Sequence, residues 1–186
     1  MLFNRHSDLE GRHARLSASN YHWTEYDEEK MARVILTAEA AARGTALHNL
    51  AHDMIKLKVR LEDNGKTLNS YVNDAIRFRM TPELVIRATD NAFGTADAVS
   101  FRDNKLRIHD LKTGVGATSI RQLEIYAAFF CIEYRFNPRD IDIEMRIYQN
   151  DEVKIFDTDI NAIIHVMEAT RSHDQLIDTM RMEALG

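Results

Sequence analysis

The sequence predicts an α/β protein: a central mixed β-sheet of about five strands flanked by helices. Three observations carry this. The stretch from Gly94 to Tyr126 alternates apolar and polar residues on either side of Asp103-Asn104, two residue types that tolerate the positive φ angles of a tight hairpin turn. Proline-free segments rich in Ala, Leu, Glu and Lys carry apolar residues at helical spacing. Between two such segments, Ile141 to Tyr148 alternates strictly, as a half-buried strand does.

Taken in order, Met1 to Trp23 has no clear periodicity, and its cations Arg5, Arg12 and Arg15 cluster with His6 and His13. A helical region follows from Asp27 to Glu62, with Leu47, Leu50, Ala51, Met54, Leu57 and Leu61 on one inward face and a break expected near Gly44. Asp63-Asn64-Gly65 forms a turn, a second helix runs from Asn69 to Arg79, and Pro82 ends that pattern. Leu84 to Thr89 is a strand leading to the hairpin. Thr113-Gly114-Val115-Gly116 is a loop, and Ser119 to Arg135 is a helix with Leu123, Ala127, Phe130 and Tyr134 beneath. After the strand at Ile141, Asn150-Asp151 turns into a shorter strand from Val153 to Phe156. Asp159 caps a closing helix through Met182, with Ile163, Ile164, Met167 and Ile177 inward. The organisation is one domain over 1–186: a basic segment at 1–24, a helical region at 27–80 and a core at 84–186, with the site at one edge of the sheet.

Composition narrows the function classes. The content is 45% hydrophobic and 28% charged, as in an ordinary soluble protein. No apolar run approaches the length of a membrane span and nothing resembles a signal peptide, so the expectation is a cytoplasmic protein with no membrane partner. Cys131, the single cysteine, excludes an internal disulfide and a four-cysteine iron–sulfur cluster. The net charge of −5 weighs mildly against a nucleic-acid partner, but carboxylates gathered around a cation count as negative while attracting phosphate once it binds.

The hairpin supplies the chemistry. With Asp103-Asn104 as its turn, Val99 faces Ile108, Phe101 faces Leu106 and Asp97 faces Asp110. One face then ends in two opposed carboxylates and Lys112. Like charges directly opposite on a sheet are destabilising unless something offsets them. A divalent cation does so best, and Mg²⁺ or Mn²⁺ favours carboxylate oxygens. A lone D-x-K is ordinarily a solvated strand end, but the facing Asp97 turns the reading toward a cation site. Such a site suits phosphodiester hydrolysis, where cations absorb the developing charge.

Gly94-Thr95-Ala96-Asp97, Asp110-Leu111-Lys112 and Gln122 through Tyr126 resemble the GxxD, (D/E)xK and QxxxY signatures of RecB-like nucleases. These form part of the PD-(D/E)XK superfamily, together with phage exonucleases and Cas4-like proteins. The resemblance implies a restriction-endonuclease-like core and a metal-dependent DNA nuclease. It implies Asp97, Asp110 and His48 as metal ligands, helped by the Leu111 carbonyl, and Lys112 as the residue that positions or deprotonates water. Gly44 and His48 in GTALHNLAH look like the family's helical histidine motif. Many relatives carry an acid where His52 stands, which leaves the role of His52 open. Gln122 has two readings that exclude one another: a capping-box partner of Ser119, or, with Tyr126, a group facing Lys112 as the family implies. Arg12, Arg15, Ser17 and Ser19 lie in a stretch loosely similar to a Ser-rich opening of some phage nucleases, with substrate-backbone contact as the implied role.

The expected function is therefore a Mg²⁺- or Mn²⁺-dependent deoxyribonuclease, exonucleolytic, of phage or bacterial recombination or repair. The family's products carry 5′-phosphates, so the 3′ oxygen leaves. The expected partner is DNA, with either further copies of the chain or a single-strand annealing protein helping to hold it. Two other classes compete: a catalytically inactive DNA-binding or anti-defence module of the same fold, and a zinc-binding interaction protein using His48, His52 and the aspartates.

Overall fold

In a computed structural model, which describes residues 5–185, Asp103 and Asn104 both have positive φ, +52° and +59°. They join β2 (Phe93–Arg102) to β3 (Lys105–Leu111) in the register expected, Val99 opposite Ile108 and Phe101 opposite Leu106. With β1 (Thr81–Arg87), β4 (Asp142–Gln149) and β5 (Glu152–Phe156) they form one five-stranded sheet in the order β1-β2-β3-β4-β5. Only β3 and β4 run parallel, so the sheet is mixed. The helices are α1 (Glu28–Leu57), α2 (Thr67–Arg77), α3 (Arg121–Glu133) and α4 (Ile160–Leu185). The protein is α/β with an open sheet flanked by helices.

The chain divides into two compact units, Met1–Arg43 and Gly44–Gly186. In the first, 3₁₀ turns at Ser7–Leu9 and Tyr21–Glu25 precede the start of α1, whose Lys30 amide is capped by Asp27 Oδ1 at 2.7 Å. Met1 to Asn4 of the expected basic segment lie outside the described residues. The second unit holds the sheet. On one face Val99, Leu106, Ile108, Met145 and Ile147 pack with Leu123 and Ala127 of α3 and Ile163 of α4. On the other, Ala98, Leu111 and Tyr148 pack with Ala51 and Ile55 of α1 and Val72 and Ala75 of α2. No helix among the described residues is long and apolar enough to cross a membrane.

Several expectations change. α1 runs through Gly44 without a break, because the missing Cβ serves packing: a methyl there would sit 2.8 Å from Thr113 Oγ1. The helix stops at Leu57, where Lys58 adopts φ +58° and Val59 N–H returns to Met54 O at 2.9 Å, a left-handed terminator. Within this unit the helix buries Gly44, Ala51 and Ile55, while Leu50 and Leu57 are exposed. Tyr134 and Ile177 are also exposed. Pro82 lies inside β1, tolerated because β1 is an edge strand.

Strict alternation fails in β2. Ala96 packs on the α3 side, Ala98 on the α2 side and Val99 on the α3 side again, so the strand turns over at Asp97. Glu83, which continues the register opposite it, has φ +46°, and neither residue joins the paired ladder. The ladder with β3 likewise ends at Ala98–His109, one step short of the two aspartates. The aspartates lie on β2 and β3, inside the sheet and not on its edge strands.

Candidate active site

Leaving the ladder frees Asp97 to turn its carboxylate toward the end of β3. Its Oδ2 accepts the Leu111 amide at 2.8 Å and lies 3.6 Å from His48 Nδ1. Leu111 thus contributes its N–H to the arrangement, while its side chain is buried in the α2-side core. His48 reaches Asp97 because Gly44, one turn earlier, lets α1 approach Thr113.

Asp110, at the end of β3, is almost wholly buried. Lys112 Nζ donates to its Oδ1 at 3.1 Å and lies 3.0 Å from Oδ2 as an ion pair, but Oδ2 receives no directed hydrogen bond. The same ammonium donates to Gln122 Oε1 at 3.0 Å. Gln122 Nε2 donates to the Tyr126 hydroxyl at 3.3 Å, and Tyr126 donates to the Thr95 carbonyl at 2.6 Å. A methyl on Gly94 would stand 3.0 Å from Tyr126 Cε1, so the glycine before Asp97 makes room for that tyrosine. Gln122 is therefore turned to Lys112, and Ser119 Oγ caps the Arg121 amide instead, at 3.2 Å.

Burial pushes the Asp97 carboxyl above the usual carboxylate range, and the neighbouring Asp110 pushes it further, against the Leu111 amide, His48 and Lys112. Burial raises Asp110 too, opposed first by Lys112. Both carboxyls are short of positive charge, Lys112 notwithstanding. The donor chemistry fits a hard divalent cation: two carboxylates, one with a buried oxygen lacking a directed hydrogen bond, and an imidazole facing the other. Among the described residues no group of three or more His, Cys, Asp or Glu side chains is drawn to metal-ligand closeness.

His52 is placed elsewhere. Its Nδ1 lies 3.9 Å from Glu83 Oε2 and is buried without a hydrogen bond. Arg12, Arg15, Ser17 and Ser19 belong to the first unit, where Ser17 and Ser19 hydroxyls meet at 2.7 Å and Arg15 pairs with Glu39 at 3.7 Å. Two residues outside the sequence motifs join the site, Tyr71 beside the acids and Gln149 in the cleft that Lys112 lines. Tyr71 of α2 is a buried phenol pushed well above its ordinary pKa, first by burial and then by the Asp97 and Asp110 charges. Gln149, buried at the end of β4, donates to the carbonyls of Gly114 and Gly116 in the loop after Lys112. A polar residue closing the alternating strand at Tyr148 was the visible signal for Gln149; nothing marked Tyr71.

Fold and site together define an α/β protein with a buried carboxylate pair and a lysine at the end of an inner hairpin. Residues 85–175 match the model of a family described as a protein of unknown function (DUF2800). That span, just under half of the chain, encloses Asp97, Asp110, Lys112, Gln122, Tyr126 and Gln149 but not His48. No curated protein and no solved structure matches the chain.

Proposed function

We propose that this protein is a divalent-cation-dependent DNA nuclease, an exonuclease of phage or bacterial recombination or repair. The observation that carries the reading is the unbroken chain from Asp110 through Lys112, Gln122 and Tyr126 to the Thr95 carbonyl, beside an Asp97 oriented by the Leu111 amide. Residues expected from three separate signatures meet in one network, which a solvated strand end would not require.

Asp97, Asp110 and His48 would hold Mg²⁺ or Mn²⁺. When bound, the cation neutralises the acid pair and supplies Lewis acidity toward a phosphate oxygen. Lys112 is fixed on two sides, by Asp110 and Gln122, which leaves one ammonium proton for water or a phosphate oxygen. It orients the attacking water and stabilises the charge that develops on phosphorus oxygens. Tyr126, anchored on Thr95, holds Gln122 and through it the amine. Attack on the phosphate expels the 3′ oxygen and leaves a 5′-phosphate. The test is incubation of the protein with end-labelled linear and closed-circular DNA in Mn²⁺, Mg²⁺ or chelator. Nucleotide release from linear DNA only, abolished by chelator, supports an exonuclease. Linearised circles make it an endonuclease, and no product in either cation defeats the reading.

A further inference from the structure

The loop between Lys112 and α3 contains two glycines that the protein's own structure does not require. Neither Gly114 nor Gly116 has a left-handed backbone, since the positive-φ glycines are Gly11 and Gly65. Neither is packed against anything: a Cβ at either position meets no atom within 4 Å. Gly44 and Gly94, by contrast, have side chains pressed to within 2.8 and 3.0 Å of where a Cβ would be.

The loop is nevertheless held. Gln149, 5% exposed, donates from Nε2 to Gly114 O at 2.6 Å and Gly116 O at 2.8 Å. One amide thereby occupies the two carbonyls that would repel an anion. The loop forms a wall of a cleft of about 540 Å³ that Lys112 and Gln122 line together with Gly114, Gly116, Arg121 and Gln149. Val115, at its tip, is 88% exposed. A backbone bare of side chains at both glycines, with their carbonyls occupied, Lys112 and the Glu124-paired Arg121 nearby and an apolar tip, is suited to close approach by a phosphate and the nucleoside it carries.

We propose that the Gly114–Gly116 loop seats the nucleotide flanking the scissile phosphate, with Gln149 as its positioning residue. The phosphate meets the glycine backbone beside Lys112, and Val115 lies against the sugar or base. This rests on the nuclease reading for the identity of the ligand, DNA.

The experiment uses the full chain with Gly114→Ala and Gly116→Ala, singly and together, because alanine fits both positions without clash or strain. Three quantities are read: thermal midpoint and Mn²⁺ affinity, anisotropy of a labelled oligonucleotide in chelator, and kcat and KM in Mn²⁺. Unchanged midpoint and Mn²⁺ affinity are expected, with oligonucleotide Kd and KM raised about tenfold per substitution because the added methyl holds the phosphate off the backbone. The value of kcat should change much less. Gln149→Leu, which frees both carbonyls, should reproduce the KM effect. DNA binding equal to wild type in the double alanine variant overturns the seat, as does a wild-type protein that binds no oligonucleotide. Binding that the alanines weaken, without Mn²⁺-dependent cleavage, leaves the seat standing and defeats the nuclease reading. Cleavage with an unmoved KM does the reverse.

Discussion

Replacing Gly44 by alanine sets two known quantities against each other. In a helix interior, alanine is favoured over glycine by about 0.5–1 kcal/mol. At this position the new methyl would stand 2.8 Å from Thr113 Oγ1, roughly 0.6 Å inside ordinary contact. Overpacking on that scale costs about 1–3 kcal/mol, so the variant should lose about 1 kcal/mol net, a shift of roughly 2–4 °C for a chain of this size. The larger effect falls on the site. Thr113 follows Lys112, whose ammonium is held at 3.0 Å by Gln122, and a displacement near half an ångström should lower the cleavage rate about tenfold. Thr113→Ala removes Oγ1 and leaves the nearest atom, the Thr113 Cβ, at 3.8 Å, an ordinary contact. The double variant should therefore recover the rate and exceed the single Thr113→Ala variant in stability by about 0.5–1 kcal/mol. Thermal melts and single-turnover cleavage measure both. A Gly44→Ala variant as active as wild type, or one that Thr113→Ala fails to rescue, would refute the claim that this glycine brings α1 to the site.

His48→Ala should weaken Mn²⁺ binding by calorimetry and His52→Ala much less, since His52 faces Glu83; the reverse order would place the ligand on the wrong residue. His109 is buried beside Tyr148, and burial, with Arg146 and Arg107, lowers its pKa to about 3. The unfolded state then binds the extra proton first, so stability should fall between the ordinary imidazole range and about pH 3, by up to ~1.4 kcal/mol per pH unit. His109→Asn should flatten that part of a denaturation–pH profile, and an unchanged slope would remove His109 as its source. Deleting the segment through Arg15 should weaken DNA binding and flatten its salt dependence, while cleavage of short oligonucleotides at saturation survives. An unaltered salt slope would exclude the segment from DNA binding.

What could be read from the sequence tracks how local the determining physics is. The hairpin register follows from two residues at its turn, and the helix and strand patterns from side-chain periodicity, so the sheet and its helices were legible. The reversal at Asp97 was not, because it depends on Glu83 leaving the ladder of β1 with β2, far from the Ala88–Ala92 turn that joins the two strands. Gly44 reads as a helix breaker on propensity alone; its purpose appears only when Thr113 is seen beside it. Ala51 of the expected apolar stripe is buried, but Leu50 and Leu57 are exposed, and Gly44 and Ile55 are buried in their stead. Gln122 satisfied two patterns at once, and Lys112, ten residues back in the sequence but 3.0 Å away in space, decides between them. Gln149 acts through a parallel pairing whose register no short-range rule supplies.

In the proposed site Asp97 and Asp110 bind a cation while Lys112 acts on the substrate. The most direct measurement is Mn²⁺ affinity and cleavage of end-labelled linear DNA on the same preparations of wild type, Asp110→Ala and Lys112→Ala. Under this division of roles Asp110→Ala should lose both cation affinity and cleavage, and Lys112→Ala should keep the affinity but slow cleavage by about a hundredfold or more. Mn²⁺-dependent cleavage at the wild-type rate in either variant would contradict it.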